Sequence, residues 1–306
     1  MTLTLQTFHS TRFGTEYYEC GRDHRARGAR TIVLLHGLFE NCTVWNGAQT
    51  GVSGSMSMVE ILAREFHLVA CNLIGHTASQ PLPMPSSTSN EAAPSVEPSV
   101  KPSVEPSVSL QMMAEEVVAL LENVQIEKAV FVGHSMGGAV AMQILRHFPE
   151  KVQGLCLFQA TPFADSPSVK EARNTTIARI RNGEAREIAA ALLEKILPES
   201  SQQGREHETA FLRAMLAECP PSGMIAGHEA MRDRQDTQEI LNNADCPALI
   251  VLGKNDAIIS IDAMLPLLKR SAATQWCVLE NVAHAGMLEA PRECAAQIQA
   301  FMHLCG

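Results

Sequence analysis

Ser135 stands between two glycines in the run Phe131-Val-Gly-His-Ser-Met-Gly-Gly-Ala-Val140, a G-x-S-x-G spelling. An apolar stretch, Ala129 to Val132, precedes it, and small helix-compatible residues (Ala139, Ala141) follow it. A strand that turns into a helix about one residue strains that residue's backbone, and Gly133 and Gly137 relieve the flanks. The hydroxyl then projects at the end of a sheet, above a helix N-terminus that favours developing negative charge. A serine hydroxyl is a weak nucleophile until a positioned base takes its proton. The same end of the sheet must therefore supply a histidine and a carboxylate to hold it.

His284 follows the apolar run Thr274–Leu279 through Glu280-Asn-Val-Ala283, and Asp256 follows Ala248–Leu252 through Gly253-Lys-Asn255. Both fall at the carboxyl ends of expected strands. Asp165, after Leu155–Phe158, is the rival acid; the intact G-x-x-D after an apolar run favours Asp256. Asp262 reads as a helix start. His9, His24, His147, His207, His228 and His303 do not follow a strand, or fall in expected helices or terminal segments. His134, beside the serine, is expected to pack and orient. Acyl transfer also needs two donors for an oxyanion. The backbone N–H of Met136 is one, and that of Leu38, in Leu34-Leu-His-Gly-Leu-Phe39, is the other. Gly37 lets that chain turn, and His36 braces it. One such donor is worth about 3–4 kcal/mol in the transition state.

These residues need a scaffold that brings strand ends together. Apolar runs at Thr31–Leu35, His67–Asn72, Ala129–Val132, Leu155–Phe158, Ala248–Leu252 and Thr274–Leu279 alternate with helical patterns, as in a parallel α/β sheet. Leu3–Thr7 and Glu16–Cys20 alternate like an antiparallel edge hairpin. Helices are predicted over Met58–Glu65, Leu110–Asn123, Gly138–His147, Asp262–Lys269 and Pro291–Leu304.

Two segments break this rhythm. Residues 81–109 are rich in Pro, Ser and Val and hold a tetrad repeat beginning at Pro94, Pro98, Pro102 and Pro106, which reads as an extended loop insertion. Residues 162–242 hold no strand-like run and four helical stretches, Ser168–Arg181, Glu184–Leu197, Arg205–Cys219 and Pro221–Arg232. They are expected to form a helical cap inserted after the sixth strand, over the strand ends where ligands bind in such sheets. The core is then 1–161 with 243–306. Whether the apolar residues of the cap (Phe163, Ile177, Ile180, Phe211, Leu212, Met215, Met224) line a pocket or pack on the sheet stays open.

Composition narrows the function. The 306 residues, 46% hydrophobic, can bury a full core. A net charge of −9 argues against nucleic acid as a partner. No apolar window is long enough for a membrane span. Met1–Ser10 lacks a basic start and an apolar core, so a secretion signal is not expected. Nine cysteines without a C-x-x-C pair, several inside strand-like runs, suggest free thiols in a reducing, cytoplasmic setting. The histidines lack metal-ligand spacing.

Taken together, the His36-Gly37 turn, Asn72-Leu-Ile-Gly-His76, the Gly-His-Ser-Met-Gly-Gly elbow, Gly253–Asp256 and Ala283-His-Ala-Gly286 resemble the α/β-hydrolase superfamily over nearly the whole chain. The order Ser135, Asp256, His284 matches that fold. Ala230-Met-Arg-Asp-Arg-Gln-Asp236 looks like the cap exit of capped carboxylesterase-like members. The resemblance implies ester hydrolysis through an acyl-enzyme by Ser135, His284 and Asp256, with oxyanion amides at Leu38 and Met136 and no metal or cofactor. The family's D-x-x-G-H-G-x-S departs here to Asn72-Leu-Ile-Gly-His-Thr-Ala-Ser79, which bears on substrate preference. The leading expectation is a serine hydrolase of a small or medium carboxylic ester. Alternatives are the same triad used for C–C, thioester or amide hydrolysis, perhydrolysis or lyase chemistry, and a non-catalytic small-ligand receptor.

Overall fold

The computed structural model describes residues 5–10, 13–47, 56–77, 108–268 and 274–306. Apart from its last two residues, Val108 and Ser109, the tetrad repeat expected within 81–109 lies outside the described residues, as do the first residues of the expected edge hairpin. Eight strands form one sheet: β1 (Gln6–His9), β2 (Gly14–Cys20), β3 (Thr31–Leu35), β4 (His67–Cys71), β5 (Ala129–His134), β6 (Val152–Phe158), β7 (Ala248–Gly253) and β8 (Thr274–Leu279). Their spatial order is β1-β2-β4-β3-β5-β6-β7-β8. β1 and β2 pair antiparallel with each other, β2 pairs antiparallel with β4, and all other pairings are parallel.

The inner strands are apolar at consecutive positions because both faces are covered. Ile32 and Leu34 of β3 join one buried cluster, while Val33 and Leu35 point to the other. The flanking helices are α1 (Arg22–Ala26), α2 (Met58–Leu62), α3 (Leu110–Asn123) and α4 (Met136–His147). Between β6 and β7 come α5 (Pro167–Arg181), α6 (Ala185–Ile196), α7 (Glu199–Gln202), α8 (Glu206–Glu218), α9 (Pro221–Arg232) and α10 (Gln238–Asn242). The chain ends with α11 (Ile261–Leu268), α12 (Gly286–Glu289) and α13 (Pro291–Met302). Helices α7 and α10 go beyond the four stretches expected here; at four and five residues they are too short for a periodic signal.

The connection from β3 runs to β4 on one side, and the next crossover returns to place β5 on the other. That reversal opens a crevice at the carboxyl ends of β3 and β5, where open sheets of this kind bind ligands. The helices between β6 and β7 rest on this end. On α9, a Cβ at Gly223 would overlap the Gly75 carbonyl, and one at Gly227 would overlap the Leu38 side chain. His228 meets the Phe39 ring edge-on at 5.4 Å. At the base of the segment, the Thr237 amide and hydroxyl both donate to the Pro162 carbonyl, at 2.8 and 2.9 Å. Ile177, Ile180, Leu212, Met215 and Met224 are buried in the cluster that α5–α9 share with the sheet, and Phe211 is partly buried against it.

Candidate active site

Ser135 is the single residue between β5 and α4, with φ 50° and ψ −113°. A non-glycine residue in the left-handed region costs on the order of 1–3 kcal/mol and persists only when its surroundings enforce it. The enforcement is visible on both sides. A Cβ on Gly133 would strike the Gly137 carbonyl, and one on Gly137 would strike the Leu35 carbonyl. The Ser135 amide donates to the Phe158 carbonyl at 3.1 Å, which anchors the turn to β6. The glycines serve close approach, and the strained φ falls on the serine itself.

Leu38 lies in the loop after β3, next to the elbow because Leu35 and Gly133 are register partners. His36 sets its peptide. The Nδ1–H of His36 donates to the Gly37 carbonyl at 2.8 Å, and Nε2 accepts from the Leu73 amide at 2.9 Å. The Gly37 carbonyl and the Leu38 N–H belong to one planar unit, so holding the oxygen aims the N–H. Both ring nitrogens of His36 are used by neutral partners, and burial, with the neighbouring His76, pushes the imidazole down to about 3. The turn was expected to rest on Gly37, but the positive φ, 64°, is at Phe39. Gly37 is needed for space: a Cβ there would lie 2.8 Å from both Glu40 Oε2 and His134 Nδ1. Among the described residues, the amides of Leu38 and Met136 take no protein acceptor.

Asp256 and His284 come together at the ends of β7 and β8. Asp256 Oδ2 lies 2.7 Å from His284 Nδ1, and both residues are buried. The loops that carry them are tied by the Lys254 amide to Leu279 O and the Asn255 amide to Val282 O, each 2.9 Å. With the proton on Nδ1 facing the carboxylate, Nε2 is the ring's basic nitrogen. The rival Asp165 is engaged elsewhere: its two oxygens accept from Arg173 Nε at 2.5 Å and Arg234 at 2.7 Å. Ser135 approaches this pair through its neighbour, since the His134 and His284 ring centres are 4.9 Å apart. The described hydrogen bonds do not include one between the Ser135 hydroxyl and His284.

Several residues around His284 escaped the sequence reading. The Glu289 carboxylate accepts from the Ala283 and Ala285 amides at 2.9–3.0 Å. Gln159 donates to the Ala283 carbonyl and accepts from the Gly286 amide. The His284 amide donates to the Ile196 carbonyl at the end of α6, at 3.1 Å. Their partners are backbone groups, near in the chain for Glu289 and distant for Gln159, and backbone groups leave no side-chain spelling to read. Asn72, read as a departure, has its own logic. Its oxygen accepts from the Cys42 amide at 2.7 Å, and its NH2 donates to Glu16 at 3.1 Å. An aspartate there would confront the Glu16 carboxylate.

Residues 30–291 match the family described as alpha/beta hydrolase fold. The chain belongs to that family. This α/β hydrolase is 27% identical over 283 residues to a pimeloyl-[acyl-carrier protein] methyl ester esterase of Aeromonas hydrophila, covering 89% of this chain and 94% of that one. It is 24% identical over 276 residues to the dihydrolipoyllysine-residue acetyltransferase component of an acetoin cleaving system of Pseudomonas putida, covering 90% of this chain but only 64% of the relative's length. A thermophilic esterase from Thermogutta terrifontis superposes on the α/β hydrolase with a TM-score of 0.78 at 22% identity, covering 100% and 99% of the two chains. At that identity the likeness is one of fold. Among the described residues, no helix of the hydrolase is long and apolar enough to cross a membrane.

Proposed function

We propose that this α/β hydrolase is a serine esterase acting on a small or medium carboxylic ester through an acyl-enzyme. The observation that carries the reading is the 2.7 Å bond from His284 Nδ1 to Asp256, which leaves Nε2 basic beside the strained elbow of Ser135. Ser135 Oγ attacks the ester carbonyl carbon as its proton passes to His284 Nε2. The carbonyl oxygen becomes an oxyanion held by the Leu38 and Met136 amides. The tetrahedral species then collapses; the alkoxide leaves with the proton from His284, and Ser135 keeps the acyl group. Water, activated by the same imidazole, attacks the acyl-enzyme, and the carboxylic acid departs with Ser135 restored.

The segment 162–242 acts as a cap over this site. Its contacts with Gly75, Leu38, Phe39 and His284 support that role, because they bring helices against the loops that would hold the oxyanion and the base. A covered site favours short acyl chains. The test is a panel of p-nitrophenyl esters of increasing acyl length, run on wild type and Ser135→Ala. Hydrolysis that is fastest for short chains and is lost in Ser135→Ala is the expected result. Preference for emulsified long-chain esters contradicts the enclosed site, and activity that survives in Ser135→Ala contradicts the mechanism.

A further inference from the structure

Directly behind Ser135 lies a pair of acid and base side chains that the reaction above does not use. His134 Nδ1 is 2.9 Å from Glu40 Oε2, and His134 Nε2 is 2.8 Å from the His284 carbonyl oxygen. A carbonyl oxygen only accepts, and so does a carboxylate, so both ring nitrogens donate and the ring is an imidazolium. The two side chains are 1% and 0% exposed. Burial pushes His134 down, but the charge and hydrogen bond of Glu40 outweigh it and carry the imidazole upward. Burial pushes Glu40 up, but His134 outweighs that and carries the carboxyl downward. Trp45 and Phe158 meet the His134 ring edge-on at 6.3 and 6.1 Å, so its surroundings are otherwise aromatic.

A charged pair in such a place is a poor way to gain stability, since apolar side chains of like volume do as well or better. Its geometry suggests another use. The Glu40 oxygen that faces His134 also accepts the Gly37 amide at 2.6 Å. One carboxylate–imidazolium unit therefore touches three separate segments: the loop after β3, the last residue of β5 and the loop after β8. In order, these carry the Leu38 amide, Ser135 and His284. The missing side chain at Gly37 is what lets the unit close.

We propose that Glu40 and His134 are positioning residues that hold the Leu38 peptide and the His284 backbone in register with Ser135. The inference rests on the esterase reading above. Removing Glu40 unties the loop after β3 from β5, and removing the His134 side chain unties all three segments, while the substrate-contacting side chains stay in place. The loss therefore falls on kcat, because misplacing a reacting group by an ångström costs rate out of proportion to binding.

The test measures kcat and KM for a p-nitrophenyl ester, together with fluorophosphonate labelling of Ser135, on folded Glu40→Leu, His134→Phe, the double variant and Glu40→Gln. Each apolar single variant is expected to lower kcat by about 10–100-fold with KM within about threefold. The double variant falls no further than the worse single, as expected of parts of one unit. Glu40→Gln keeps an oxygen where Oε2 stands, able to accept both the Gly37 amide and His134 Nδ1–H, and it restores kcat to within about fivefold of wild type. Should the apolar variants not fold, His134→Asn decides. Its side chain is too short to bridge both acceptors, so kcat falls at least about fivefold at unchanged KM. Wild-type kcat in the folded variants, a loss confined to KM, losses that multiply in the double variant, or a Glu40→Gln as impaired as Glu40→Leu each overturn the positioning unit. A wild type that neither labels nor hydrolyses overturns the esterase reading instead, which separates the two failures.

Discussion

Asp256 divides its two oxygens between a side chain and the backbone. Oδ2 meets His284 Nδ1 at 2.7 Å, and Oδ1 accepts the Ile258 and Ile259 amides, each at 2.8 Å. The backbone bonds fix the orientation of the carboxylate, and through it that of the imidazole. Asp256→Asn keeps an oxygen for those amides but turns an NH2 toward Nδ1. The ring proton is then forced onto Nε2, the nitrogen that has to accept. We expect kcat to fall about 10³–10⁴-fold with thermal stability little changed. Steady-state kinetics alongside a melting curve checks this.

Asn72 and Glu16 make a complementary pair that a single-atom change would break. Asn72→Asp replaces the donor at 3.1 Å from Glu16 with a second acceptor, beside a buried Cys42 amide that still needs its oxygen. The variant should lose about 1–3 kcal/mol at pH 7. Urea unfolding at pH 7 tests this.

Gly223 and Gly227 explain how closely α9 sits on the loops after β3 and β4. Gly223→Ala would put a methyl into the Gly75 carbonyl, which is backbone and cannot swing aside. The expected cost is about 1–3 kcal/mol, with KM raised more than kcat is lowered as the helix shifts outward. Gly183→Ala is the control, because a Cβ there meets nothing within 4 Å although its φ is +93°. That variant loses stability to the strained backbone and keeps wild-type KM.

Three buried imidazoles make the fold acid-sensitive. Burial holds His36 and His228 down to about 3 and His76 to about 4, against an ordinary 6.5. Since the unfolded chain binds those protons more readily, stability is complete above about pH 6.5 and is lost as pH falls toward 4. The loss between pH 7 and 5 reaches up to about 2 kcal/mol per histidine. His134 is shifted upward, so its contribution changes above about pH 6.5 and does not offset this loss. Urea midpoints across the window should fall with pH; a flat profile contradicts the assignment of these rings as neutral.

The inner sheet was legible because both of its faces are covered: the unbroken apolar run Thr31–Leu35 coincides with β3, and Thr274–Leu279 coincides with the edge strand β8 although Gln275 and Val278 are exposed. Leu110–Asn123 was equally plain, since one face of α3 is apolar along its whole length. The elbow could be read because strain and close approach demand particular residues at particular spacings. Strand ends were harder. β5 runs on to His134 because Gly133 still pairs with Leu35 and His134 with Phe158, something an apolar run cannot announce. Glu40, Gln159 and Glu289 act on backbone amides and carbonyls, which every residue possesses, so nothing in the chain marks them. The exchange of charge between Asn72 and Glu16 was half visible: the missing acid shows in the sequence, while its replacement lies on a neighbouring strand.

Ser135 as the nucleophile is tested by peptide mapping of the protein after reaction with a fluorophosphonate. One phosphonyl adduct on Ser135 is expected, formed at a rate that drops at least about 10³-fold in His284→Ala. An adduct on another residue, or none on Ser135 in folded protein that hydrolyses esters, contradicts it.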